Sequence, residues 1–561
     1  MNKELKEIIQ TLFNIDANAD ILISNRPDLC DYQYNGTFEL AKNLHQNPYD
    51  IGVMIADELN KNENVLEKFS KIECVRPGFI NFTLRNSYIN ERLNEMKKEN
   101  KFNINLPKQE TVILDYGGAN VAKPLHVGHL RPAIVGESIK RLLKYMNQNV
   151  ISDVHLGDYG LQIGQVIYGL MQSNIASDEI TLEILSDLYP KISGLCKEDA
   201  SIKEICANIT KELQDGNVEY QTYFKKILEI SKEDIKKMYD YLGVYFDLWL
   251  GESDAYNDIP EVANSLKKES LLKMSEGAKV VEVAEETDKI EIPPLIFQKS
   301  NGAYLYGTTD LATLWQRAKD YQPNKVLYVA DSRQHLHFTQ VFRVAKKIPE
   351  TKSIDCEFLG LGTINGSDGK PFKTRAGNTP KLAELFNETK EIFLKNENHH
   401  TEYESGDLEK IVGSIIKFAD LQNNREKEYI FDIEKFSKTT GKTGPYILYT
   451  YVRTKKIVQN NETYIDNLSK TIYNVHDREL RLKILGLDEI LNYAFKTRMP
   501  SVIANYLYEI CVLMNAFYEN NHINNLEDNN KKRDWVTLLN KTLEIIEDLL
   551  NILVLEIPSR M

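Results

Sequence analysis

The sequence predicts an α/β protein in which a doubly wound, Rossmann-type domain follows a smaller α+β domain and precedes an all-α bundle. Three observations carry this. A short apolar run, Thr111-Val112-Ile113-Leu114-Asp115-Tyr116, leads through a Gly-Gly turn into a helical pattern over 133–146, the strand–loop–helix opening of a nucleotide-binding sheet. Two later strand-like runs, Lys325 to Ala330 and Phe358 to Gly362, fit its second half. From about residue 440 the apolar spacing is helical throughout. A chain of 561 residues exceeds the roughly 250–300 that one core can serve, so separate domains are expected, at 1–105, 106–435 and 436–561.

Taken in order, Lys3 to Phe13 carries Leu5, Ile8, Ile9, Leu12 and Phe13 at helical spacing. Phe79 to Leu84 alternates as a strand does, after a Pro77-Gly78 turn signal. The charged stretch Lys97 to Asn105 reads as a linker. In the helix predicted over 133–146, Ile134, Ile139, Leu142, Leu143 and Met146 share one side. The segment from about 165 to 300 reads as a largely helical insertion between the halves of the sheet. In the bundle, Val502, Ile503, Tyr506, Leu507, Ile510, Leu513, Met514 and Phe517 recur at i, i+3, i+4 and i+7. No internal repeat is seen.

Composition excludes several classes. No stretch approaches the roughly 20 apolar residues of a membrane span, and the opening residues lack the apolar core of a signal peptide, so cytoplasm is expected. The six cysteines are scattered with no CxxC spacing, which argues against a disulfide framework and a structural zinc site. The net charge of −13 is uneven: residues 171–300 hold 15 basic and 26 acidic side chains, whereas 441–561 hold 15 of each. Binding a polyanion needs a local basic surface, not a basic protein, so the total charge leaves RNA open. Its distribution argues that 171–300 is not the main RNA-facing surface.

The chemistry begins at His126-Val127-Gly128-His129, between the strand and its helix. Two imidazoles three residues apart can face one side of a helical turn, Gly128 lets a ligand approach the backbone, and the helix N-terminus favours anions. The triphosphate of ATP suits that arrangement; a bare capping turn is the plain alternative. The metalloprotease pattern does not fit, because it needs histidines four apart with an intervening glutamate.

The wider run Asp115-Tyr116-Gly117-Gly118-Ala119-Asn120-Val121-Ala122-Lys123-Pro124-Leu125-His126-Val127-Gly128-His129-Leu130-Arg131 resembles the HIGH-motif region of class I aminoacyl-tRNA synthetases, and more narrowly that of the arginyl-tRNA synthetases. His155 to Gly164 is similar to another block of that family, with Tyr159, Leu161 and Val154 replacing the more usual Trp, Thr and Asn. The stretch Gly369 to Asn378 stands where class I enzymes carry KMSKS; Lys373 and Arg375 are present, and the second lysine is missing. In the family a lysine just before HIGH compensates, and Lys123 occupies that position. The resemblance covers essentially the whole chain and is weakest between about 170 and 300.

What it implies is specific. The fold is a class I catalytic domain with a C-terminal anticodon-binding bundle. The reaction is ATP-dependent formation of arginyl-adenylate, then transfer of arginine to the 3′-terminal ribose of tRNA(Arg), with release of pyrophosphate and AMP. Lys123, His126, His129, Lys373 and Arg375 serve catalysis; His126, Gly128, His129 and Lys373 bind the nucleotide, accompanied by Mg²⁺ held mostly by phosphate and water. The guanidinium end of arginine falls to Asp115 (a position where the family often has Glu), Tyr306 and Asp310; the other end falls to Asn120 and Gln334, with His126 nearby. A planar fork of donors is best met by carboxylates, and Tyr306 and Asp310, four apart, share a face if their stretch is helical. Phe79 and Asn81 fall where the family meets the tRNA elbow; Tyr446, Arg453, Tyr518 and Met561 fall around the anticodon. A monomer with neither DNA nor membrane partner is expected, requiring bound tRNA for activation. Two rivals stand beside this reading: a class I synthetase of other specificity, and a noncatalytic RNA-binding paralogue. Absent zinc-ligand spacing disfavours a cysteine enzyme, acids in place of cations disfavour a glutamate enzyme, and intact His126, His129, Lys123 and Lys373 disfavour the paralogue.

Overall fold

The computed structural model describes residues 2–561 apart from 25, 27, 124, 367, 368, 371–380 and 397–402. The chain forms two compact units, one of Met1–Asn105, Arg453–Ile490 and Glu509–Ile546, the other of Leu106–Val452, Leu491–Tyr508 and Glu547–Met561.

The second unit holds four parallel strands in the order Asp355–Leu361, Lys325–Asp331, Thr111–Asp115, Asn149–Asp153. Val112, Ile113 and Leu114 are fully buried, as a strand covered on both faces requires. From the internal strand Thr111–Asp115 the chain first builds outward to Asn149–Asp153, then returns to add Lys325–Asp331 on the other side. The winding therefore reverses beside Asp115, and such a switch point opens a crevice at the C-terminal strand ends. One face of the sheet is sealed by Ile113, Val326 and Tyr328 packed with Leu311, Leu314, Phe338 and Val341.

The helix that follows the first strand spans Val127–Tyr145, six residues earlier than apolar spacing alone indicates, because His126 caps it. It lies very close to the sheet: a Cβ on Gly136 would stand 2.2 Å from the Tyr116 ring, so only glycine fits there. The Tyr116 hydroxyl then donates to Glu137 at 2.6 Å.

The insertion is helical at first, through Leu161–Gln172, Leu182–Glu198, Ala200–Gln214, Val218–Leu242 and Ile259–Lys268. It then forms an antiparallel sheet of Leu272–Ser275, Ala278–Val281 and Leu295–Gln298. That sheet corrects the largely helical reading of its last 30 residues. Its strands are only four residues long, too short for a period-2 pattern to declare itself, although Glu276 and Gly277, both at positive φ, mark the hairpin.

In the first unit an antiparallel sheet runs in the order Leu22–Ile23, Tyr32–Tyr34, Phe79–Leu84, Phe69–Val75. Ile80, Phe82 and Leu84 point inward, as their alternation predicts. The Asn2–Phe13 helix buries Leu5 and Ile9. The expected linker is not wholly featureless: a turn over Lys98–Asn103 buries Phe102, the lone aromatic of a charged stretch. Helical segments of the same unit are tied by a buried ionic network. The Arg481 guanidinium donates to Asp477 at 2.6 Å, to Asn90 at 2.7 Å and to Asp534, while the Trp535 indole donates to Asp477 at 3.2 Å. Among the described residues from 440 onward every regular element is helical, including Gly444–Gln459, Pro500–Asn520 and Asn529–Ile552.

Candidate active site

His126 is the N-cap of the Val127–Tyr145 helix. The Gly128 N–H donates to His126 Nδ1 at 3.0 Å, and the His126 N–H donates to His129 Nδ1 at 3.2 Å. With both Nδ1 atoms accepting, the ring protons must sit on Nε2. The rings lie with centroids 4.0 Å apart. Burial and the nearby Lys123 ammonium hold His126 below the ordinary histidine range. Burial, then His126, push His129 down to about 3. At neutral pH the pair thus presents two neutral Nε2–H donors at a helix N-terminus, a cradle for phosphate oxygens. Lys123 stands beside them with its ammonium 4.3 Å from the centroid of the Tyr189 ring.

The second half of the site is a set of carboxyl groups at the strand ends. Arg317 is fully buried and donates to Asp115 Oδ2 at 2.6 Å and to Asp153 Oδ2 at 2.8 Å. Burial lifts the Asp115 carboxyl against the pull of Arg317. Asp115, Asp153 and His155 alone among the described residues have metal-ligand spacing, but Arg317 already fills the gap between the two acids. His155 has both ring nitrogens buried without a hydrogen bond.

Tyr306 and Asp310 lie on the first turn and a half of the Tyr306–Tyr321 helix and share a face, as their spacing predicts. Asp310 Oδ2 meets His337 Nε2 at 2.5 Å. Facing them is Glu252, a residue absent from the sequence reading. The segment from His155 to Asp158 seats it: the Glu252 N–H donates to Leu156 O at 3.1 Å, and Asp158 accepts from Ser253 N at 2.9 Å and Oγ at 2.6 Å. Burial, then the Asp310 charge, raise Glu252 to about 7. The Tyr306 hydroxyl is raised too, by burial and then by Glu252. Tyr306 itself is 64% exposed, so this acidic pocket has an open mouth.

Asn120 lies at the neighbouring strand end, bridged to Gly157, with its Oδ1 accepting from Gln162 at 3.4 Å. Gln334 is exposed in the Ser332–Gln334 turn just past the Lys325–Asp331 strand. Asp115, Asn120, His126, Tyr306, Asp310 and Gln334 thus all stand at or beside the C-terminal ends of the sheet. Lys373 and Arg375 lie outside the described residues.

Comparison with known proteins gives the family. A model of "tRNA synthetases class I (R), catalytic domain" matches residues 92–433, one of the arginyl tRNA synthetase N terminal domain matches 1–84, and one of the DALR anticodon binding domain matches 447–561. An arginine–tRNA ligase of Alkaliphilus oremlandii is 39% identical, over 96% of this chain and 95% of that one. One of Francisella tularensis subspecies holarctica is 38% identical, over 100% and 99%. This chain belongs to the arginyl-tRNA synthetase family. The arginyl-tRNA synthetase structure from Plasmodium falciparum superposes with a TM-score of 0.82 at 27% identity, over 100% of this chain and 99% of that one. The Thermus thermophilus one shares the fold, with a TM-score of 0.80 at 17% identity.

As an arginyl-tRNA synthetase the chain needs RNA-facing groups, and the predicted ones sit unevenly. Phe79 is half-buried, edge-on to Phe38 with centroids 5.0 Å apart. Asn81 is 5% exposed and accepts from Gln33 at 2.9 Å, so Gln33 is the more outward of the two. Tyr446 packs with Tyr508, ring centroids 5.7 Å apart. The exposed Arg453 guanidinium lies 4.7 Å from the Tyr518 ring centroid. Near Met561, the preceding Ser559 and Arg560 are tied to Asp407, which accepts from Ser559 N at 2.9 Å and Arg560 N at 3.1 Å. Among the groups the sequence reading missed, Arg317 carried no local signal, and Glu252 had only a glycine before it. His337 was visible within the Gln334 block.

Proposed function

We propose that the chain joins arginine to tRNA(Arg) using ATP, with Asp310, Glu252 and Tyr306 receiving the guanidinium and His126, His129 and Lys123 the triphosphate. The observation that carries this is the acidic pocket around Asp310, set beside the histidine-capped helix. Asp115 adds only one oxygen to that pocket, since Oδ2 is held by Arg317. Asn120 and Gln334 take the α-amino and α-carboxylate end.

A carboxylate oxygen of arginine attacks the α-phosphorus of ATP; the P–O bond to pyrophosphate breaks, giving arginyl-adenylate. A ribose hydroxyl of the tRNA 3′ end then attacks the adenylate carbonyl, and AMP leaves. Neither step needs a covalent bond to the enzyme, so the chain contributes positioning and charge stabilisation. The Nε2–H donors meet phosphate oxygens as charge develops, and Lys123, Lys373 and Arg375 take up that of the leaving pyrophosphate. Mg²⁺ would accompany ATP on phosphate oxygens and water, since Arg317 fills the one set of protein ligands with suitable spacing among the described residues. Phe79 and Asn81, the latter by orienting Gln33, face the tRNA elbow; Tyr446, Arg453, Tyr518 and Met561 face the anticodon. The enzyme works as a cytoplasmic monomer.

The test is ATP–pyrophosphate exchange with each of the twenty amino acids, with and without total tRNA. Exchange with arginine alone, and only with tRNA, is the expected result. Exchange with another amino acid breaks the pocket assignment, and none from folded protein favours the noncatalytic paralogue.

A further inference from the structure

We propose that Tyr189, on the Leu182–Glu198 helix of the insertion, is a positioning residue that holds the Lys123 ammonium against its ring face at the nucleotide side of the site. The inference rests on the reading of Lys123 as a cation for the departing pyrophosphate. The ammonium lies 4.3 Å from the Tyr189 ring centroid, inside the ~6 Å over which an aromatic quadrupole attracts a cation. A lysine needs such help more than an arginine does, because its charge is a point on a flexible four-carbon stem. An ammonium left to wander beside solvent would meet the transition state only part of the time. A ring that restrains it beforehand removes that ordering from the reaction step.

Two further observations place Tyr189 at the centre of the site. The Lys123 charge depresses both His126 and His129, so the ammonium held by the ring faces the phosphate-binding imidazoles. Tyr189 also lies close enough to Tyr306 to contribute, after burial and Glu252, to the raised pKa of that hydroxyl. The helix itself is turned toward the motif. Leu182, Glu183, Ser186 and Asp187 line a cavity of 540 Å³ whose other wall includes Leu125 and Lys381, and Lys381 is bridged to His126. Residues 182, 186 and 189 share a helical face. The acidic insertion thus has a use that its charge alone conceals: it brings an aromatic face to a catalytic cation.

The test uses the full chain in ATP–pyrophosphate exchange with saturating arginine and tRNA. Y189L, which keeps bulk and loses the ring face, should lower kcat roughly 3- to 30-fold, the strength of a cation–π contact expressed as a rate. KM for arginine should stay within about twofold, whereas Y189F and Y189W should keep at least about half the parental kcat. In K123A, adding Y189L should cost nothing more, because the two act as one unit. Parental kcat in Y189L, equal loss in Y189F and Y189L, or additive losses in the double variant each overturn the proposal. If Y189L does not fold, Y189M replaces it with the same expectations. A parental K123A overturns the Lys123 reading itself; a slow K123A beside a parental Y189L overturns the Tyr189 role alone.

Discussion

Replacing Asp310 by Asn tests the arginine pocket most directly. Three carboxyl groups are candidates for the guanidinium, and they are not equal. One oxygen of Asp115 is spent on Arg317, and Glu252 is close to half protonated at neutral pH, with its pKa at about 7. Asp310 takes the principal part in the proposed pocket, with one oxygen on His337 and the other for an incoming arginine, and its side chain is only 18% exposed. D310N keeps the shape and removes the charge. A site built to bind a polar partner discriminates by about 10⁴–10⁵ when that partner is lost. Some of this is recovered, because removing the Asp310 charge relieves Glu252 of the charge that raises its pKa most, letting it ionise more readily. The expected loss in kcat/KM for arginine is therefore about 10³- to 10⁴-fold, or ~4–5.5 kcal/mol. The assay is tRNA-dependent pyrophosphate exchange as a function of arginine concentration, with KM for ATP measured alongside. Arginine kinetics within about threefold of the parent would remove Asp310 from the pocket.

Glu252 predicts a pH dependence: its ionised form attracts the guanidinium, so KM for arginine should fall by up to about tenfold per pH unit as pH rises toward 7, then level off. E252Q should erase that slope and raise KM above pH 7; a slope unchanged in E252Q refutes the assignment. H129A should lose a neutral donor and lower kcat by about 10²- to 10³-fold. Because His129 is held at about 3, the parental kcat profile between pH 6 and 8 should show no titration that H129A removes, and one that vanishes in H129A would contradict the neutral-donor reading. In the first unit, R481M should leave Asp477 and Asp534 buried without their cation and destabilise that unit by about 3–5 kcal/mol, read as a fall in the urea midpoint. An unshifted midpoint would mean that the network contributes nothing.

The fold was legible wherever burial has a period that fits inside one element. The helix at Pro500–Asn520 is long enough to show it, and the strand at Thr111–Asp115, buried on both faces, shows instead as an unbroken apolar run. The sheet at 272–298 was missed because four-residue strands offer too few positions for alternation to be distinguished from chance. The burial of Phe102 and Ile104 was hidden by composition, since every other residue from Lys97 to Asn105 is charged or polar. The early start of the Val127–Tyr145 helix had a different cause. Apolar spacing reports the buried face and not the cap, and here the cap is a histidine.

Lys123, His126 and His129 lie in one contiguous run, and that is why the sequence names them together. The residues of the arginine half do not. Asp115 and Arg317 are 202 residues apart, and Glu252 reaches the pocket only because the His155–Asp158 segment and the stretch after Trp249 run side by side. No local pattern encodes such meetings. Their consequence is chemical: the chain already keeps one guanidinium, that of Arg317, between two carboxylates of this region. That internal arginine takes one oxygen each of Asp115 and Asp153, and His337 takes one of Asp310, which leaves the other Asp310 oxygen and Glu252 to meet a ligand. On the proposed assignment the pocket would select through these acids, because a ligand without a planar cation would leave them facing each other. Burial first, and the Asp310 charge second, raise the Glu252 pKa, and an entering guanidinium would offset the second of these.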